Sequence, residues 1–185
     1  MLDNITIFAE NFLKSEIFRG PLVPYFVTYS EMIAKQKVID LVNERLDDEM
    51  FIVDVTISSA NDINVYVDGF NGITIEQCIA VSRNVEHNLD RDEEDFSLQV
   101  SSPGLTESFK VKQQYEKYTG KEIEVLTADN EKLKGLLLEN SDDGIVLETS
   151  KREKVEGHKK KQMVVKKHIL KYDEIKSAKA VISFK

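Results

Sequence analysis

Residues 74–105, TIEQCIAVSRNVEHNLDRDEEDFSLQVSSPGL, constrain the fold more than any other stretch, because four local signals follow one another without a gap. Thr74 and Gln77 stand three apart, the spacing of a helix N-cap and its reciprocal partner in a capping box. Ile75, Cys78, Ser82, Val85 and Leu89 then recur at helical spacing and predict one buried stripe. Residues 90–95 are too charged to bury and must turn in solvent. Phe96, Leu98 and Val100 alternate with Ser97, Gln99 and Ser101, which is the period of a half-buried strand. Pro103-Gly104 suits the central positions of a type II turn, since proline presets one dihedral and glycine accepts a positive one. The stretch reads as helix, solvated turn, strand and sharp corner.

Upstream, Met32 opens a helix with Ile33, Val38, Leu41, Val42 and Leu46 near one face. Phe51, Val53, Val55 and Ile57 alternate as a strand, residues 58–62 supply a turn, and Ile63, Val65 and Val67 alternate again as the second arm of a hairpin. An α-β-β-α-β unit over residues 32–117 is therefore expected. Residues 1–31 fit it poorly: they read either as an extension without fixed structure or as sequence ahead of a true start at Met32, and the second reading is preferred.

Residues 108–118 predict a short helix stopped at Gly120. Beyond it the pattern changes to short strands, expected at 122–127, 132–139, 144–150, 162–171 and 178–184, with a helical turn over 172–175. Asp129-Asn130 and Asp142-Asp143-Gly144 mark tight turns between them. Five short strands over residues 118–185 suggest a small closed barrel as a second domain. The whole reads as an α+β protein.

Charge divides along the same line. Residues 40–107 hold sixteen acidic and three basic side chains, a net of −13, within a chain of net charge −8. Residues 151–171 hold nine basic and two acidic side chains, a net of +7. One part would repel a polyanion and the other attract it, which suits an oriented encounter with a charged partner. The basic side chains are Lys151, Arg152, Lys154, Lys159, Lys160, Lys161, Lys166, Lys167 and Lys171. Lysines of this kind hold phosphate through charge, with strong salt dependence and little sequence information. No aromatic residue interleaves with them, so base stacking is not indicated.

The residues that could do chemistry are scattered. Cys78 and His87 share a helix nine residues apart, which places them on opposite faces. A lone cysteine excludes an intramolecular disulfide. The acidic run at 90–95 lacks the glycine and distant glutamate of a calcium loop, and the three histidines lack metal-ligand spacing. Ser101-Ser102 sits in no nucleophile elbow, and no glycine-rich nucleotide cradle is present. No secretory signal or apolar run of about 20 residues stands out, so a cytoplasmic protein away from membranes is expected.

From Met32 onward the chain resembles the bacterial ribosome maturation factor RimP family. The resemblance rests on the helix bearing Glu76, Cys78, Ser82 and Arg83, on Leu89-Asp90, on LQVSSPGL at 98–105, and on the ending YDEIKSAKAVISF. It implies that the second domain is an SH3-like, Sm-like barrel. It also implies an assembly factor that binds the maturing small (30S) ribosomal subunit through ribosomal RNA and a small-subunit ribosomal protein. Neither catalysis, cofactor nor small-molecule substrate is implied, and a monomer is expected. The corner Ser101, Ser102, Pro103, Gly104 and Leu105 carries the family motif, with a mainly structural role. The motif usually continues Asp-Arg-Pro-Leu, whereas here Thr106, Glu107, Ser108 and Phe109 follow, and Gln99 stands where Glu is usual. An acidic side chain thus replaces a basic one, which weakens any phosphate contact at the corner. A general Sm-like RNA-binding module and a protein-interaction adaptor remain the alternatives.

Overall fold

The computed structural model describes residues 33–92, 95–153 and 162–182. They form three helices and two sheets, each sheet with its own core. Among them no helix is long and apolar enough to cross a membrane.

The first core follows the expected order: α1 (Lys35–Asn43), β1 (Met50–Ile57), β2 (Asp62–Gly69), α2 (Ile75–Asn88) and β3 (Ser97–Ser101). Strands β1 and β2 form the antiparallel hairpin, while β3 lies parallel to β2 in the sheet order β1-β2-β3. A parallel pair needs a crossover, and α2 supplies it. The hairpin turn is held by the Ser58 hydroxyl, which accepts from the amides of Ala60 and Asp62, and by Asn61 in the left-handed region (φ 57°). Val55, Ile63, Val65 and Val67 meet Val38 and Val42 of α1 and Val81 and Val85 of α2 beneath the sheet.

Helix α2 begins as expected: the Thr74 hydroxyl accepts from the Gln77 amide, and the Gln77 side chain accepts from the Thr74 amide. Its buried stripe differs from the expected one. Val81 and Asn84 join Val85 and Leu89 inside, whereas Ile75 is 76% exposed and Ser82 lies at the margin. The cause is a polar stitch to α1, in which the Asn84 amide donates to the Leu41 carbonyl and to Glu44, while Arg45 donates to the Asn84 carbonyl oxygen. Satisfying that buried amide rotates the helix, and apolar count alone does not reveal the rotation.

The second core comprises α3 (Lys112–Lys117), β4 (Glu122–Thr127), β5 (Lys132–Asn140), β6 (Gly144–Glu153), β7 (Gln162–Lys171), a 3-10 turn (Tyr172–Glu174) and β8 (Ile175–Ala180). The strands form one antiparallel sheet in the order β7-β6-β5-β4-β8. Its edge strands, β7 and β8, are not paired with each other among the described residues, so of the expected closed barrel these residues show a five-stranded antiparallel sheet. Ile123, Val125, Leu137, Ile145 and Leu147 fill the core with Tyr115 of α3.

Three local expectations change. The helix over 108–118 shortens to α3, because the Phe109 amide donates to the Ala178 carbonyl at 2.7 Å and holds the preceding segment extended. The last strand runs over Ile175–Ala180 rather than 178–184, since pairing with β4 begins directly after the 3-10 turn, at Thr127 opposite Ile175. The corner is not a type II turn: among the described residues only Gly72 and Gly120 are glycines of positive φ. Pro103 and Gly104 continue the chain, and the turn falls two residues later, where the Glu107 amide donates to the Gly104 carbonyl at 3.0 Å.

Candidate functional site

The basic segment falls largely on β6 and β7, ten residues each and paired along their whole length. Directly opposed residues of an antiparallel pair share a face. Thr149 opposite Lys166 and Lys151 opposite Val164 continue the face that Leu147 turns into the core. Arg152 opposite Met163, Glu148 opposite Lys167 and Gly144 opposite Lys171 lie on the outer face. The structure thus divides the candidate residues: Arg152, Lys167 and Lys171 share one exposed surface, while Lys151 and Lys166 are exposed on the other. Lys154, Lys159, Lys160 and Lys161 lie outside the described residues.

The outer face of β7 is not only basic. Met163 (61% exposed), Val165 (55%) and Ile169 (81%) share it with Lys167 and Lys171, so apolar and cationic groups succeed one another along a sheet edge. At a rise of about 3.3 Å per residue, Lys167 and Lys171 stand roughly 13 Å apart. Such a strand offers charge to phosphate and apolar surface to a protein, at the edge of the sheet formed by the described strands. His168 points to the other face, its Nε2 2.9 Å from the Thr149 hydroxyl.

The Ser101–Leu105 corner sits far along the chain from these cations. Ser102, Pro103, Gly104 and Leu105 line a cavity of about 170 Å³ together with residues of both cores, Asp68 and Gly72 on one side and Lys117 and Tyr118 on the other. Below it, the Phe109 ring stacks on Tyr118 and meets Tyr115 edge-on. The corner leads β3 towards this aromatic group. No basic side chain lines the cavity except Lys117, and that one is engaged.

Lys117 donates to both oxygens of Asp68 at 2.7 and 2.8 Å, with only 13% and 10% of the two side chains exposed. Nearer the surface, Lys110 donates to Asp54 at 2.6 Å. The first pair joins β2 to α3 of the second core, and the second joins β1 to the segment that leads into it. Sequence reasoning missed both, because ion pairs separated by 49 and 56 residues leave no local pattern. The Lys110 hydrogen bond holds the Asp54 carboxyl below the usual carboxylate range and raises the Lys110 ammonium. With a depressed folded value, the pair contributes stability above about pH 4 that disappears as pH falls through the folded pKa. Lys110→Met is expected to cost about 0.5 kcal/mol near neutrality, as exposed pairs do. In urea titrations that difference should begin to shrink below about pH 4 and vanish once pH has fallen through the lower folded-state value of Asp54.

Among the described residues the scattered reactive groups do not assemble; His158 lies outside them. Cys78 is half-buried and its thiol is pushed up by burial, away from the thiolate that nucleophilic work requires. His87 is exposed in the last turn of α2. Among the described residues no three His, Cys, Asp or Glu side chains converge as a metal site.

Known proteins match this sequence over most of its length. The profile described as the RimP N-terminal domain matches residues 39–106, which span most of α1 through the corner. A protein of Christiangramia forsetii called ribosome maturation factor RimP is 39% identical over 152 residues, covering 81% of this chain and 99% of its own. A protein of the same name from Flavobacterium psychrophilum is 37% identical, covering 83% of this chain and 100% of its own. Another from Porphyromonas gingivalis is 35% identical, covering 82% of this chain and 100% of its own. Identity at this level over nearly the full length of each relative takes in both cores, and the chain belongs to the RimP family of ribosome maturation factors.

Proposed function

We propose that this protein is a non-catalytic assembly factor that binds the maturing small ribosomal subunit, docking through the outer face of β6 and β7. The observation that carries the reading is the row on edge strand β7, Lys167 and Lys171 interleaved with exposed Met163, Val165 and Ile169, with Arg152 beside Met163 on β6. Cations alone would suit RNA; cations with apolar side chains suit a composite of ribosomal RNA and a ribosomal protein. On sequence grounds the contact extends to Lys154, Lys159, Lys160 and Lys161, and Lys151 and Lys166 reach phosphate from the other face of the hairpin. The corner Ser101, Ser102, Pro103, Gly104 and Leu105 keeps the two cores in fixed relation and makes no RNA contact.

The remaining finer points are part of the same reading. Residues 32–117 and 118–185 act as two domains, the second bending into an SH3-like barrel. The protein works as a cytoplasmic monomer without cofactor or small-molecule substrate. The acidic first domain is repelled by surrounding RNA and so orients the complex. Binding favours the conformation of the subunit that fits both surfaces better, which is how a passive ligand drives an assembly step.

The test is the salt dependence of small-subunit binding for wild type and for Arg152→Glu/Lys167→Glu/Lys171→Glu. Loss of three phosphate contacts should reduce the slope of log K against log salt by about three and weaken binding throughout. An unchanged slope would remove this face from the docking surface.

A further inference from the structure

The first core carries a second surface that the β7 reading does not use. Ile75 (76% exposed) and Ile79 (43%) stand one turn apart on α2, beside Cys78, and face the half-buried Leu98 and Val100 of β3 across a groove of about 510 Å³. Strand β3 pairs only with β2 among the described strands, so one side of its backbone is a free edge along that groove. An apolar helical wall beside an open strand edge offers what strand addition uses: a backbone ladder for affinity and an apolar surface for alternate side chains.

Charge and lining decide what fits. Among the described residues the groove is lined by no lysine, arginine or aromatic side chain, so these supply neither the cations that hold phosphate nor the rings that stack bases. It also lies in the part of the chain where residues 40–107 hold sixteen acidic and three basic side chains, with Glu76 exposed in the first turn of the same helix. A polyanion is repelled there and a cationic chain attracted. We infer that the groove between α2 and β3 docks an extended protein segment that pairs with β3, seats β-branched side chains against Ile75 and Ile79, and carries lysine or arginine on its flanks. This gives the molecule two faces of opposite character: a basic edge on β7 and, at β3, an apolar groove set in the acidic part of the chain.

The test uses the full chain, labelled for NMR, with three probes: a synthetic peptide of alternating valine and threonine flanked by lysines, its glutamate-flanked counterpart, and a single-stranded RNA oligonucleotide. The lysine-flanked peptide should bind and shift the amides of Ser97, Leu98, Gln99, Val100 and Ser101, while the glutamate-flanked peptide should not. Ile75→Ser/Ile79→Ser should weaken binding at least tenfold; both positions are exposed, so a thermal melt should remain near wild type. Lys167→Glu/Lys171→Glu should leave it unchanged, so that failure of the β7 reading and failure of this one are read separately. Absence of binding, indifference to Ile75→Ser/Ile79→Ser, or stronger perturbation of the same amides by the RNA would overturn the inference.

Discussion

Lys117→Met is expected to destabilise the protein by about 3 kcal/mol, several times the effect of Lys110→Met. The two lysines make similar bonds, so the difference lies in their surroundings. Asp68 is only 10% exposed, and apart from Lys117 its carboxylate accepts from the Gly69 amide at 2.8 Å. Removing the ammonium leaves a buried charge with too few partners, and that residual charge, rather than the lost attraction, dominates the cost. Asp54 is 24% exposed and water can replace Lys110. Lys117→Met/Asp68→Leu should recover most of the loss, because replacing a whole buried pair with apolar groups is often close to neutral. Urea unfolding of the single and double variants checks both statements. A loss below about 1 kcal/mol for Lys117→Met would mean that the pair is effectively solvated.

A comparable effect is expected at Gly135 and not at the family-motif glycine. A Cβ at Gly135 would lie 2.2 Å from the Glu148 carbonyl oxygen and 2.8 Å from its carbon, both backbone atoms of the adjacent strand. Strands β5 and β6 would have to separate, breaking a ladder that passes directly above Leu137 and Leu147. Gly135→Ala should therefore cost about 3 kcal/mol or more, the upper range for overpacking. At Gly104 the nearest atom to an added Cβ is the flexible Glu107 Cγ at 3.3 Å, and φ is not in the left-handed region. Gly104→Ala should stay within about 0.5 kcal/mol of wild type. Thermal or urea unfolding of the two variants ranks them; the reverse order would restore the type II turn that the sequence suggested.

The contrast shows where sequence was informative. Capping, alternation and helical periodicity are local, and they placed α1, β1, β2, α2 and β3 in their observed order, along with the strand-rich second half. The capping box at Thr74 and Gln77 formed as spelled out in the residues. What the sequence could not reveal depended on partners far along the chain. Asn84 entered the stripe of α2 because of Leu41 and Glu44, residues 108–111 stayed extended because of Ala178, and β3 lay parallel to β2 because α2 crosses between them. The candidate site behaved likewise. Composition identified the basic segment, but only the β6–β7 register separated Arg152, Lys167 and Lys171 from Lys151 and Lys166. The exposure of Met163, Val165 and Ile169 also needed the sheet, since the same alternation would have suited a buried face.

The central claim is docking on the small ribosomal subunit, and co-sedimentation tests it most directly. Wild-type protein would be spun with purified small and large subunits, across a salt series and with excess unrelated RNA. The account predicts selective association with the small subunit that survives the competitor. Equal association with both subunits, lost at modest salt, would contradict it and leave only a general affinity for RNA.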